Sequence, residues 1–227
     1  RGSIDLRQHQ LKGIAWFQHL VSLAPVDCRG ALLADDMGLG KTIQLLAVIA
    51  RHYEDSPTNA PSIVIAPKSL VENWAAEVEK FFDPSFPEVL VLYDNELKTR
   101  KQPLGLIDQR LKDRGIVELL KPNWVGNAKL VITTYEVLKN FEFSFARQPF
   151  AFVICDEAQR IKTPGTQVAL AVRALKADFR IACTGTPVEN SLADLWCLFD
   201  FVQPGLLGAL EEFSRTYRRP IECTTDE

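Results

Sequence analysis

Residues 33–44 read Leu33-Ala34-Asp35-Asp36-Met37-Gly38-Leu39-Gly40-Lys41-Thr42-Ile43-Gln44, and this stretch decides the fold. The apolar run before it, Gly30 to Ala34, predicts a buried strand. The run after it, Thr42 to Ala50, predicts a buried helix. A strand, a glycine-containing turn ending in Gly-Lys-Thr, and a helix make the arrangement that cradles nucleotide phosphates. Gly38 and Gly40 let the backbone curl so that several N–H groups point inward. Lys41 is placed to reach the β- and γ-phosphates, and the Thr42 hydroxyl to bind magnesium. The strict pattern has glycine at the position taken here by Asp35, so the loop needs corroboration from elsewhere.

Outward from this loop, short β-branched runs alternate with helical patterns. Strands are predicted at Ala31–Ala34, Ser62–Ala66, Val89–Tyr93, Leu130–Thr133, Phe150–Cys155 and Phe179–Cys183. They are nearly continuous in apolar residues, as strands covered on both faces should be. Leu70, Trp74, Val78, Phe81 and Phe82 share one helical face, on which Trp74 reads as core. Further helices are expected over about 167–175 and 192–202. The alternation predicts an α/β fold, a three-layer phosphate-loop domain with a mostly parallel central sheet and helices on both faces. Ligands then sit at the carboxyl ends of the strands. Residues 94–128 are the least regular part. Leu104, Ile107 and Leu111 suggest a helix there with basic neighbours, read as a solvated, partly irregular insertion.

Composition narrows the classes. The 227 residues are 47% apolar and 24% charged, enough for one large domain with a substantial core. The net charge of −3 offers no global argument for nucleic acid, so such a site must be local. The five cysteines form no CxxC pair, which points to a reducing compartment. His9, His19 and His52 show no metal-ligand spacing. No apolar run approaches the ~20 residues that span a bilayer, and no signal peptide is evident. Arg1-Gly2-Ser3 and the lack of an initial Met read as marks of an excised segment.

Corroboration comes from two more strand ends. Phe150–Cys155 leads into Asp156-Glu157-Ala158-Gln159. Asp156 at the strand tip can hold magnesium opposite Thr42, largely through water. Glu157 can orient or deprotonate the attacking water. Then comes Cys183-Thr184-Gly185-Thr186-Pro187, whose hydroxyls can sense the γ-phosphate and pass its state to a neighbouring surface. A plain Gly-Thr-Pro turn opening the next helix is the alternative.

In this order, the three elements resemble the Swi/Snf-type DNA-dependent ATPases of helicase superfamily two, over nearly the whole chain. Leu6-Arg7-Gln8-His9-Gln10-Leu11-Lys12-Gly13 with Trp16 resembles the family's adenine-reading segment, with Gln10 as the adenine ligand. Ala34 to Gln44 resembles its phosphate loop, Asp35 included. Ala66-Pro67-Lys68-Ser69-Leu70-Val71-Glu72-Asn73-Trp74 and Leu130-Val131-Ile132-Thr133-Thr134-Tyr135 resemble its two DNA-contacting motifs. Asp156 to Lys162 resembles its acidic motif. Thr184-Gly185-Thr186-Pro187-Val188-Glu189-Asn190-Ser191, then Leu195-Trp196 and Phe199, resembles its coupling motif. One departure is Gln159, where the family usually has His; an amide still donates and accepts hydrogen bonds. The Val188-Glu189-Asn190 wording is closer to bacterial members than to eukaryotic remodellers.

The resemblance implies ATP and magnesium as cofactors and double-stranded DNA as partner. It implies movement along the duplex to remodel a protein–DNA complex. Such tracking needs sequence-blind phosphate contacts. Pro67, Lys68, Ser69, Thr133 and Thr134 are the candidates, with Arg160 or Lys162 adding charge. It makes residues 1–227 the first of two RecA-like lobes; the second, which supplies arginine fingers, lies elsewhere in the polypeptide. This lobe alone should be nearly inactive. A strand-separating helicase, a restriction-type motor and a hydrolysis-deficient ATP-binding scaffold are the alternatives. The expected compartment is the bacterial cytoplasm at the nucleoid, or the nucleus in a eukaryote. Nucleosomes, stalled polymerase, a defence complex or a TATA-binding-type factor all remain open as cargo.

Overall fold

The apolar runs become six strands: β1 (Gly30–Leu33), β2 (Ser62–Ala66), β3 (Val89–Val91), β4 (Leu130–Thr134), β5 (Pro149–Asp156) and β6 (Lys176–Cys183). In this computed structural model they form one sheet in the order β1-β6-β5-β2-β4-β3, with every pairing parallel. The structure describes residues 6–35, 38–55, 60–81, 88–188 and 191–223, with the side chains of 222 and 223 excepted. Asp36, Met37, Phe82, Glu189 and Asn190 therefore lie outside the described residues.

The helices are α1 (Gln8–Ser22), α2 (Lys41–Asp55), α3 (Lys68–Phe81), α4 (Asp94–Arg100), α5 (Gln109–Lys112), α6 (Tyr135–Asn140), α7 (Glu142–Arg147), α8 (Gln167–Arg173) and α9 (Leu192–Val202). Two short ones follow, α10 (Leu210–Phe213) and α11 (Arg219–Cys223). Successive strand residues point to opposite faces, so each run feeds two cores. Val64, Ile132, Ile154 and Ile181 pack with Phe17, Leu45, Leu46 and Trp74, under α1, α2 and α3. Ile63, Ile65, Val131 and Val153 pack with Leu138, Phe145, Val172 and Phe201, under α6 to α9. Burial on both faces is why the strands read as unbroken apolar runs. Among the described residues no helix is long and apolar enough to cross a membrane.

Register gathers the motifs. Leu33 pairs with Cys183, Cys183 with Asp156, Cys155 with Ile65, and Ala66 with Thr134. The ends of β1, β6, β5, β2 and β4 thus share one edge of the sheet, about 4.8 Å from strand to strand. That carboxyl edge is where open α/β sheets hold ligands.

Where strand boundaries shift from the sequence expectation, they do so by one to three residues, most at β3 and β6. β3 ends at Val91, because Tyr93 is already the N-cap of α4. β6 starts at Lys176 because that residue pairs with Pro149 at the start of β5. No single helix joins Leu104, Ile107 and Leu111. A 3₁₀ turn covers Leu104–Leu106, and Asp108 then accepts the Arg110 N–H at 2.8 Å, capping a new start. Leu104 is 59% exposed while Ile107 is buried.

Candidate functional site

The loop between β1 and α2 is shaped by two left-handed glycines, Gly38 at φ 84° and Gly40 at φ 82°. Among the described residues, the non-glycines with positive φ are Asp94, Asn123 and Glu157. Position 35 is not one of them, so nothing in the backbone demands the glycine of the strict pattern there. Asp35 contributes its carbonyl, to which Lys41 Nζ donates at 2.8 Å. Helix α1 closes over the loop. Gln10 Nε2 donates to the Leu39 carbonyl at 3.3 Å, and His9 Nε2 to the same oxygen at 3.1 Å. Gln10 Oε1 accepts the Arg7 N–H at 2.9 Å, which fixes the amide's orientation. Gln44 is buried behind the loop and donates to the Gly40 carbonyl at 3.4 Å. Gly13 makes room for it: a Cβ there would lie 2.0 Å from Gln44 Oε1.

The tip of β5 is built from side chains. Asp156 is 8% exposed. Its Oδ2 accepts the Trp74 indole N–H at 2.8 Å, and its Oδ1 accepts the Glu157 main-chain N–H at 3.0 Å. Burial raises its pKa above the ordinary carboxylate value, and the neighbouring Glu157 charge adds to this. The Trp74 and Glu157 N–H groups and the Lys41 charge oppose the rise. The Asp156 carbonyl accepts the Tyr135 hydroxyl at 2.7 Å. Full burial drives the Tyr135 pKa well up, so the hydroxyl stays a donor. Glu157 turns the chain at φ 52°, ψ 53°, a left-handed conformation uncommon for a residue with a long side chain. Such strain recurs where a site needs a group aimed in one direction.

A polar relay leaves this tip. Gln159 Nε2 donates to Glu157 Oε2 at 2.8 Å, and Thr184 Oγ1 donates to Gln159 Oε1 at 2.9 Å. The Thr186 N–H donates to Thr184 Oγ1 at 3.0 Å. Gln159 therefore joins the acidic tip of β5 to the turn after β6, which holds Thr184, Gly185 and Thr186. Pro187 does not open the next helix, since α9 begins only at Leu192.

The expected DNA residues divide. Pro67 is buried, while Lys68 and Ser69 are exposed at the start of α3. The Lys68 ammonium lies 5.4 Å from the centre of the Tyr93 ring. Its pKa is raised, chiefly by hydrogen bonding to Tyr93. The Thr133 and Thr134 hydroxyls are both engaged within the fold. Thr133 is fully buried and donates to the Leu92 carbonyl at 2.9 Å. Thr134 is 4% exposed, and its hydroxyl caps α6 by accepting the Val137 N–H at 3.1 Å. Lys162 lies 3.8 Å from Asp194 in an ion pair, while Arg160 is exposed.

Lys41, Thr42, Asp156 and Glu157 line one cleft of about 400 Å³. A cation, a hydroxyl and two carboxylates at a helix N-terminus can bind a metal-bound phosphate chain and act on a water beside it. Gln10 borders the loop from the α1 side. The sequence reading missed the polar roles of Trp74 and Tyr135. The signal that could have found them was chemical: a buried indole N–H or phenol must find a partner.

The SNF2-related domain family matches residues 9–227 of this chain. The chain belongs to that family. Zorya protein ZorD of Escherichia coli O139:H28 is 51% identical over 96% of this chain and 20% of its own length. The DNA repair and recombination protein RAD54 of Oryza sativa subsp. japonica is 34% identical, over 96% of this chain and 21% of its own. The Sulfolobus solfataricus SWI2/SNF2 ATPase core in complex with dsDNA superposes with a TM-score of 0.75 at 34% identity. That match covers 96% of this chain and 40% of the solved one. The SNF2-related domain here thus has the fold of part of a SWI2/SNF2 ATPase core. It spans about a fifth of each of these two curated relatives.

Proposed function

We propose that this SNF2-related domain is the ATP-binding lobe of a DNA-dependent ATPase that moves along double-stranded DNA and remodels protein–DNA complexes. The carrying observation is the meeting of Lys41, Thr42, Asp156 and Glu157 in one cleft, with Glu157 wired through Gln159 to Thr184. Gln10 would read adenine beside the loop. Lys41 would exchange the Asp35 carbonyl for phosphate oxygens, and the N–H groups around Gly38 and Gly40 would cradle them. Thr42 and Asp156 offer one hydroxyl and one carboxylate. That donor set suits magnesium, which keeps several waters and shares substrate phosphates. Magnesium bound there would offset charge on the phosphate oxygens. Glu157, aimed by its left-handed backbone and by Gln159, would orient and deprotonate the attacking water.

The exposed Lys68-Ser69 turn and Arg160 would take DNA phosphates without reading bases. A second RecA-like lobe of the same polypeptide would close the cleft and add arginine fingers. The 51% identity with a bacterial protein supports a bacterial cytoplasm, at the nucleoid, as the setting. The test is phosphate release by the full-length protein with and without duplex DNA. Stimulation by duplex is expected, and Lys41→Ala should lose nucleotide binding itself. Residues 1–227 alone should be slow, since arginine fingers contribute on the order of 10³–10⁵ in rate in related phosphoryl-transfer systems. Robust DNA-stimulated turnover by these residues alone would refute the two-lobe reading. Strand displacement by the full-length protein would favour a strand-separating helicase.

A further inference from the structure

Trp74 occupies a core position, at 2% exposure on α3, yet it also lines the cleft of Lys41 and Asp156. Hydrophobic packing at that position is within the reach of Phe or Leu. What an indole adds is one N–H donor and no acceptor. That donor goes to Asp156 Oδ2 at 2.8 Å, across 82 residues of sequence. The other carboxylate oxygen takes the Glu157 N–H at 3.0 Å. With one donor on each oxygen, the carboxylate plane is fixed from two sides, one of them the rigid body of a 14-residue helix. Each oxygen still keeps acceptor capacity for the cleft. The Tyr135 hydroxyl on the Asp156 carbonyl holds the main chain beneath in the same way.

We infer that Trp74 is a positioning residue for magnesium–nucleotide binding, holding the Asp156 carboxylate in the orientation that a metal-bound water needs. This rests on the proposed nucleotide site. Partners that orient a metal-binding group are worth a tenfold to hundredfold change in metal affinity when removed. Core packing alone gives no reason for any metal dependence.

The test uses Trp74→Phe in the full-length protein, which keeps an aromatic ring and removes the N–H. Equilibrium binding of a non-hydrolysable ATP analogue is measured across a magnesium titration. The electron paramagnetic resonance of Mn²⁺ added with the same analogue is recorded in parallel. The magnesium midpoint should rise about tenfold or more, with near-normal binding restored at saturating metal and the Mn²⁺ signal of the complex altered. A folded Trp74→Phe protein with the wild-type midpoint overturns the inference while leaving the nucleotide site intact. A wild-type protein whose analogue binding ignores magnesium overturns the underlying site reading instead. If Trp74→Phe does not fold, 3-benzothienylalanine at position 74 keeps the indole shape without the N–H, and the same midpoint decides.

Discussion

The loop after β1 and the tip of β5 line one cleft, but they are held by different means. The loop is held at its main chain: Gly38 and Gly40 are left-handed, and the Asp35 and Leu39 carbonyls accept from the side chains of Lys41 and of Gln10 in α1. Side chains from three separate elements hold the tip: Trp74 of α3, Tyr135 of α6 and Gln159 after β5. A loop built from backbone can wrap a ligand of fixed shape, because N–H groups are identical wherever they fall. A carboxylate that must share a metal or a proton needs a fixed orientation, which here comes from the Trp74 indole on one oxygen and the Glu157 main-chain N–H on the other. The loop therefore tolerates Asp35 in place of a glycine, while the tip depends on residues distant in sequence.

The largest expected effect lies at the tip. Glu157→Gln keeps the left-handed backbone requirement and an oxygen for Gln159, and removes the base. Phosphate release by the full-length protein should fall about 10²–10⁴-fold, with ATP still bound in a filter or calorimetric assay. Unchanged turnover would remove Glu157 from the mechanism. The corresponding strike at the loop is Gly40→Ala. A side chain there meets φ +82°, and its Cβ would lie 2.3 Å from Gln10 Nε2. The left-handed conformation alone costs on the order of 1–2 kcal/mol, so nucleotide binding should weaken about tenfold or more. The double variant Gln10→Ala/Gly40→Ala should relieve the collision but not the backbone strain. Binding by the double variant equal to that of Gln10→Ala alone would mean that contact with α1, not the glycine conformation, shapes the loop.

How much was legible follows the same division. The sheet was readable because doubly covered parallel strands write themselves as unbroken apolar runs, each with its chemistry just past its end. Lys41, Asp156 and Thr184 were locatable because strand tips are where such a sheet presents ligands. The partners of the tip were not, because the bond from Trp74 to Asp156 depends on how α3 lies across β5, which no local pattern encodes. The hydroxyl partner of Thr133 was hidden for a related reason. A hydroxyl at a strand end looks available, but only the neighbouring register shows the Leu92 carbonyl placed to accept it. The helix expected over 104–111 failed because three apolar residues impose little against Gly105 and an Asp108 cap.

Removing the Tyr135 hydroxyl tests whether the tip is held from below as well as from the side. Tyr135→Phe keeps the ring and deletes one buried hydrogen bond to the Asp156 carbonyl. Unfolding in urea should show a loss of about 1–2 kcal/mol, with a much smaller change in ATP affinity than Glu157 or Gly40 substitutions produce. A large loss of ATP binding without loss of stability would place Tyr135 in the site itself.

The smallest effect separates a structural threonine from a DNA contact. The Thr134 hydroxyl accepts the Val137 N–H, so Thr134→Ala removes a helix cap worth about 1 kcal/mol, while Thr134→Ser retains it. Duplex affinity of the full-length protein, measured by fluorescence anisotropy over a salt series, should be the same for both variants. Its salt dependence should also be the same, since removing one phosphate-binding group lowers the slope by about one unit. The matching change at the exposed turn, Lys68→Ala, should lower that slope. If Thr134→Ala lowers it too and Thr134→Ser does not, the hydroxyl donates to a phosphate while still capping α6, and the line between wired and available groups must move to include it.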